Sequence, residues 1–161
     1  MTLLELVFYG RQRARALPVN GDSYARMIEA LKRLSTGDRD IPAYFVLGVS
    51  DRIAALIAVK EIQSVFCVDI SEDDERSGTE TVQGMEFYLA GREDPVRIKL
   101  DPEGPISDML ASMAESGYGD LDEGCVMMSD GDGNPFLFVP ADVQYILMER
   151  AYLDGVGLSP D

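Results

Sequence analysis

Histidine is absent from this chain of 161 residues, and only two cysteines, Cys67 and Cys125, and three lysines, Lys32, Lys60 and Lys99, are present. Without histidine there is no side chain that titrates near neutral pH unaided. Ser-His-Asp and Cys-His catalysis and histidine-containing zinc sites are therefore excluded. A cysteine nucleophile would have to borrow another base. Both cysteines sit among apolar residues at positions that do not correspond to each other, so buried, reduced thiols are expected rather than a disulfide.

Nowhere does the chain hold the roughly 18 consecutive apolar residues of a membrane-spanning helix. The opening Met1-Thr2-Leu3-Leu4-Glu5-Leu6 lacks the basic leader and cleavage pattern of a signal peptide, so a cytoplasmic, membrane-free protein is the expectation. Phosphate-binding glycine motifs are missing too. Gly117-Tyr118-Gly119 follows a helical pattern instead of preceding one, and Gly10, Gly48 and Gly91 stand alone.

Positive charge is scarce: 14 basic residues face 29 acidic ones, for a net charge of -15. Such a surface disfavours nucleic acid and anionic membrane, and suits a basic partner or plain solubility. The chain is nonetheless 46% hydrophobic, enough for a core of modest size.

What is present is a repeat. From Leu56 to Leu137 the sequence advances 81 residues, and an apolar run, a short polar corner and an apolar-Gln-x-apolar strand recur. Glu5, Gly10 and Arg11 match Glu86, Gly91 and Arg92 at the same offset. The apolar face Tyr24, Met27, Ile28 and Leu31 matches Ile106, Met109, Leu110 and Met113 at 82. One extra loop residue accounts for the slip.

Period-2 and period-3.6 patterning orders each half as ββαβββ. The expected strands are Leu3 to Tyr9, Arg13 to Val19, Ala43 to Val49, Ile53 to Val59 and Ile62 to Ile70. Their counterparts are Met85 to Ala90, Pro95 to Leu100, Cys125 to Met128, Phe136 to Val139 and Val143 to Glu149. Asp22 or Ser23 is placed to cap the first helix, and Pro105 suits the first turn of the second.

The expectation is therefore an α+β fold made by tandem duplication of a ββαβββ unit. Each unit would be a small, strongly bent antiparallel sheet or half-barrel covered by one helix, with pseudo-twofold symmetry between the two. Residues 1–70 form the first repeat, 71–84 an acidic linker, 85–154 the second repeat and 155–161 a loosely held tail.

Asp130-Gly131-Asp132-Gly133-Asn134 imitates the opening of a calcium loop. The sixth and twelfth positions, where glycine and glutamate are needed, are Pro135 and Ala141. It therefore reads as a hairpin turn, and neither metal nor cofactor is expected.

Arg11, Arg13 and Arg15 alternate. On an extended strand they would share one face, with Lys32 and Arg33 near them, as a small anion patch or as partners for the protein's own acids.

Charge separates the halves. Residues 1–81 carry 10 basic and 13 acidic side chains, net -3, whereas residues 82–161 carry 4 and 16, net -12. Glu93, Asp94, Asp120, Asp122, Glu123, Asp130 and Asp132 in the second half are the candidate binding residues for a basic partner.

These features fit a non-enzymatic binding, adaptor or regulatory module working through protein contacts. Three alternatives differ in class: an acidic mimic of nucleic acid that inhibits a DNA-binding protein, a structural homo-oligomer joined through strand edges, and a carboxylate-dependent enzyme. The last is disfavoured because the clearest strand acids, Glu5 and Glu86, belong to separate halves.

Overall fold

The computed structural model describes residues 1–19, 22–71, 73–74, 81–99, 105–119, 124–130 and 132–158. Along the chain these residues form β1 (Thr2–Phe8), β2 (Arg15–Val19), α1 (Asp22–Ser35), β3 (Tyr44–Gly48), β4 (Ile53–Ala58) and β5 (Ile62–Asp69). There follow β6 (Met85–Leu89), β7 (Val96–Ile98), α2 (Pro105–Glu115), β8 (Val126–Ser129), β9 (Pro135–Phe138), β10 (Val143–Glu149) and α3 (Ala151–Asp154). The fold is α+β, and its sheets are open rather than closed into barrels.

Several strand pairings recur at the 81-residue offset. β1 pairs antiparallel with both β2 and β5, and in the second half β6 pairs with both β7 and β10. Leu4 faces Leu17 and Cys67; 81 residues on, Met85 faces Ile98 and Met148. The register slip between Val7 and Phe8 against β5 has its counterpart between Tyr88 and Leu89 against β10. The corners match as well. Val59–Glu61 and Pro140–Asp142 each make one 3₁₀ turn, and Pro140 is tolerated there because the first position of a turn needs no N–H.

Gly10 (φ 77°) and Gly91 (φ 76°) occupy the left-handed position of the same tight turn. That turn is closed by Arg11 N–H to the Phe8 carbonyl in one half and Arg92 N–H to the Leu89 carbonyl in the other.

Where the halves depart from each other is in how the central hairpins are used. β3–β4 leaves the first half's sheet and adds to β10, Leu56 opposite Ile146, giving a five-stranded sheet in the order β3-β4-β10-β6-β7. β8–β9 stays a separate two-stranded ribbon. One sheet thus draws strands from both halves.

Because β4 and β10 lie inside this sheet, both of their faces are covered. All six β4 residues are buried, as are the first six of β10. One face, with Phe45, Leu47, Ala55, Ile57, Tyr145 and Leu147, packs with Leu4, Leu6 and Phe8 of β1 and with Met27 and Ala30 of α1. The other, with Leu56, Phe87, Ile146 and Met148, packs with Ile106, Met109, Leu110 and Met113 of α2, with Met128 and Phe138, and with α3. A sheet with two apolar faces needs a cover on each, which the two helices and the short strands supply.

α1 stops at Gly37 (φ 90°), whose N–H bonds the Leu34 carbonyl while Asp38 N–H bonds that of Arg33, a glycine-ended C-terminus. The side chains of Asp22 and Ser23, expected to cap its start, lie outside the described residues, as does half of the expected 71–84 linker.

Three findings correct the sequence reading. Cys67 and Cys125 are exposed, not buried; Cys67 sits on β5, which lies at a sheet edge. α3 was not anticipated, although Tyr152 and Leu153 are buried. Leu158, expected in a loose tail, packs against the second core and its N–H bonds the Leu153 carbonyl. Among the described residues no helix is long and apolar enough to cross a membrane.

Candidate functional site

The two equivalent turns, β1–β2 and β6–β7, come together. Between them lies a cleft of about 620 Å³ lined by Gly10 to Arg15, by Gly91 to Asp94, and by Tyr88 and Tyr145. That volume is in the range of small-ligand and side-chain pockets.

Its floor is an aromatic stack. Tyr88 and Tyr145 lie parallel with ring centroids 4.1 Å apart, and Phe8 stacks beneath Tyr145 at 4.7 Å. The stack follows from the register, since Tyr88 and Tyr145 are directly opposed on neighbouring strands. The guanidinium carbons of Arg11 and Arg15 stand 5.6 Å from the centre of the Tyr88 ring, near enough for cation–π attraction. Burial, and donation of its hydroxyl to Glu86 at 2.8 Å, push the Tyr88 phenol well up from its usual range. It therefore presents a neutral face at physiological pH.

Arg11 is a fixture of this wall. Its Nε donates to the Gln144 side-chain oxygen, Nη1 to the Glu93 carbonyl at 3.3 Å and Nη2 to the Leu89 carbonyl at 3.2 Å. Gln144 is 1% exposed. Its amide nitrogen donates to the Tyr9 carbonyl at 2.7 Å and to Glu61 Oε2 at 3.3 Å. A buried amide needs partners for both of its ends, and here all of them come from the first half. The Arg11–Gln144 pair therefore clasps one half to the other.

Arg11, Arg13 and Arg15, singled out in the sequence as a candidate anion patch, are close together here. All three line the cleft, yet only Arg15 is in a strand; residues 11–14 form the connecting turn. A turn, rather than strand alternation, gathers them. Lys32 and Arg33 are not part of the lining. Arg33 is committed to Asp38 at 2.8 Å and to the Asp40 carbonyl at 2.8 Å. Arg92, the counterpart of Arg11, joins the wall instead.

The acidic candidates scatter. Glu93 and Asp94 are exposed and line this same cleft, on the turn that also carries Arg92. Asp120, Asp122 and Glu123 lie outside the described residues. Asp130 closes its own hairpin turn: Oδ1 accepts the N–H groups of Asn134 at 2.7 Å and Asp132 at 3.0 Å, and Oδ2 accepts the Asn134 amide at 3.1 Å. These donors, Asn134 foremost, hold its carboxyl below the usual carboxylate range. Asp132 is exposed in that turn. Among the described residues no group of three or more cysteine, aspartate or glutamate side chains is arranged to hold a metal ion.

Sequence reasoning missed Gln144, Tyr88 and Tyr145. The available signal was the glutamine inside an otherwise apolar strand, repeated as Gln63 in the other half. No family model, curated protein or solved structure gives a match to this chain, so the functional reading rests on the site itself.

Proposed function

We propose that this protein is a non-enzymatic binding module, and that its cleft holds an acidic segment of a protein partner. The observation that carries this reading is a local reversal of sign. In a chain of net charge -15, four arginines, Arg11, Arg13, Arg15 and Arg92, surround one cleft floored by two stacked tyrosines.

Arg11 holds the wall in place, and Arg13 stands exposed at the rim. A carboxylate entering between them gains charge-assisted hydrogen bonds, and the tyrosine face receives the adjoining apolar stem. Glu93 and Asp94, next to Arg92 on the second turn, confine the favourable position to the Arg11–Arg13 side and reject ligands carrying dense negative charge, such as a nucleic-acid backbone. Nothing here requires a bond to be made or broken.

The charge division favours a second reading, a basic partner on the -12 half. Calorimetric titration of a glutamate-rich and a lysine-rich peptide into the protein separates the two. The cleft reading expects the glutamate-rich peptide to bind and Arg13→Glu to abolish the binding. Binding of the lysine-rich peptide alone, unchanged in Arg13→Glu, would refute it in favour of the second.

A further inference from the structure

The clasp between the halves is made once inside the chain, and the matching surfaces for making it again are left open. β4 covers the edge of β10, but among the described residues its counterpart β9 pairs only with β8, and β5, the counterpart of β10, pairs only with β1.

The same positions record what is missing. Leu56 and Leu147, on the two strands of the internal junction, are both 0% exposed, whereas their counterparts Leu137 and Phe66 are 59% and 69% exposed. Met127, on the other strand of the open hairpin, is exposed too. Of the large apolar side chains that stand exposed among the described residues, three of five are therefore on these two elements. Gln63, the counterpart of buried Gln144, is also exposed.

We propose that a second copy of this chain docks the edge of its β9 on the edge of β5, repeating between molecules the β4–β10 junction. The occupant is read from the chain itself, since the internal junction shows which hairpin fits this kind of edge. Transferring that pairing by the 81-residue offset between Leu56 and Leu137 sets an antiparallel register of Val65 opposite Leu137, Phe66 opposite Phe136 and Cys67 opposite Pro135.

Both strands gain the ladder hydrogen bonds their outer edges lack. On one face of the new ladder Phe66 leaves water beside Phe136, and on the other Leu137 leaves it beside Val65. The charge distribution agrees: each contact sets the -12 half of one copy against the -3 half of the next, never the two most acidic halves together. Such a head-to-tail contact closes into a ring when the rotation permits.

Two experiments test this. Sedimentation equilibrium should give a mass above that of the monomer which rises with protein concentration. Phe66→Arg and Leu137→Arg should each weaken association about tenfold or more, as expected for losing one buried large side chain, while their circular dichroism stays that of the parent.

The register is read by mixing a Cys125→Ser chain, which retains Cys67, with a Cys67→Ser, Cys125→Ser chain carrying Pro135→Cys. Mild oxidation should yield a disulfide-linked dimer, and Leu137→Cys in place of Pro135→Cys should not. A monomer at all concentrations, an oligomer indifferent to both arginine substitutions, or cross-linking at Leu137→Cys alone would overturn the proposal.

Discussion

Replacing Gln144 with leucine tests the junction most sharply, because leucine nearly conserves volume and removes only the hydrogen bonds. Gln144 is 1% exposed and serves Arg11 Nε, the Tyr9 carbonyl at 2.7 Å and Glu61 at 3.3 Å. The last is the longest and contributes least, so the loss falls on two partly buried groups, the Tyr9 carbonyl and Arg11 Nε.

At about 1–3 kcal/mol for each orphaned group, discounted for their partial exposure and for the added apolar burial of leucine, the loss is about 2–3 kcal/mol. Native stabilities are roughly 5–15 kcal/mol. With a urea dependence of about 2 kcal/mol per molar, the unfolding midpoint should fall by roughly 1–1.5 M. Gln63→Leu, at the equivalent exposed position, should stay within about 0.5 kcal/mol when both are compared in dilute, monomeric solution. Equal losses in the two variants would refute the idea that only one of the two glutamines clasps.

Other outcomes follow from the same geometry. Leu56→Ala, in the second core, should cost about 2–5 kcal/mol in urea unfolding, and Leu137→Ala under about 0.5 kcal/mol in the monomer. Gly84→Ala should lower the melting temperature markedly, because Gly84 has φ 73° and a Cβ there would collide with the Ile98 carbonyl oxygen. The Tyr44 phenol, pushed up to about 12 mainly by burial and further by Glu61, has a folded pKa above its unfolded value of about 10. Its contribution is whole below pH about 10 and is lost as pH rises toward about 12, so Tyr44→Phe should flatten the alkaline limb of a melting-temperature profile. Asp130 is the opposite case. Its lowered folded pKa gives stability that is present above the unfolded value near pH 3.9 and lost on further acidification, so Asp130→Ala should blunt the acid limb.

The strands and the two long helices were legible because each carries its period plainly: Ile106, Met109, Leu110 and Met113 mark the face of α2 that is buried. The recurrence at 81 residues was legible for the same reason, and it located the turns at Gly10 and Gly91. What sequence could not supply was which edge meets which. β5 and β10 read as equivalent strands, yet β10 is covered by β4 and β5 is not, and Cys67, Phe66 and Gln63 on β5 are exposed. Edge pairing depends on the placement of two halves in space, to which local patterning is blind. The cleft was half legible. The arginine triplet stood out, but its tyrosine floor arises from the β6–β10 register and its far wall from a turn 80 residues away along the chain, Gly91 against Arg11. α3 escaped because four residues, Ala151–Asp154, are too few to show a period.

The most direct test of the binding reading is nitrogen NMR of the arginine side-chain Nε–H groups during titration with a glutamate-rich peptide. The account predicts that the Arg13 and Arg15 resonances shift saturably while that of Arg33, committed to Asp38, does not move. Uniform small shifts of all arginines, or no shift at Arg13 and Arg15 at saturating peptide, would contradict it.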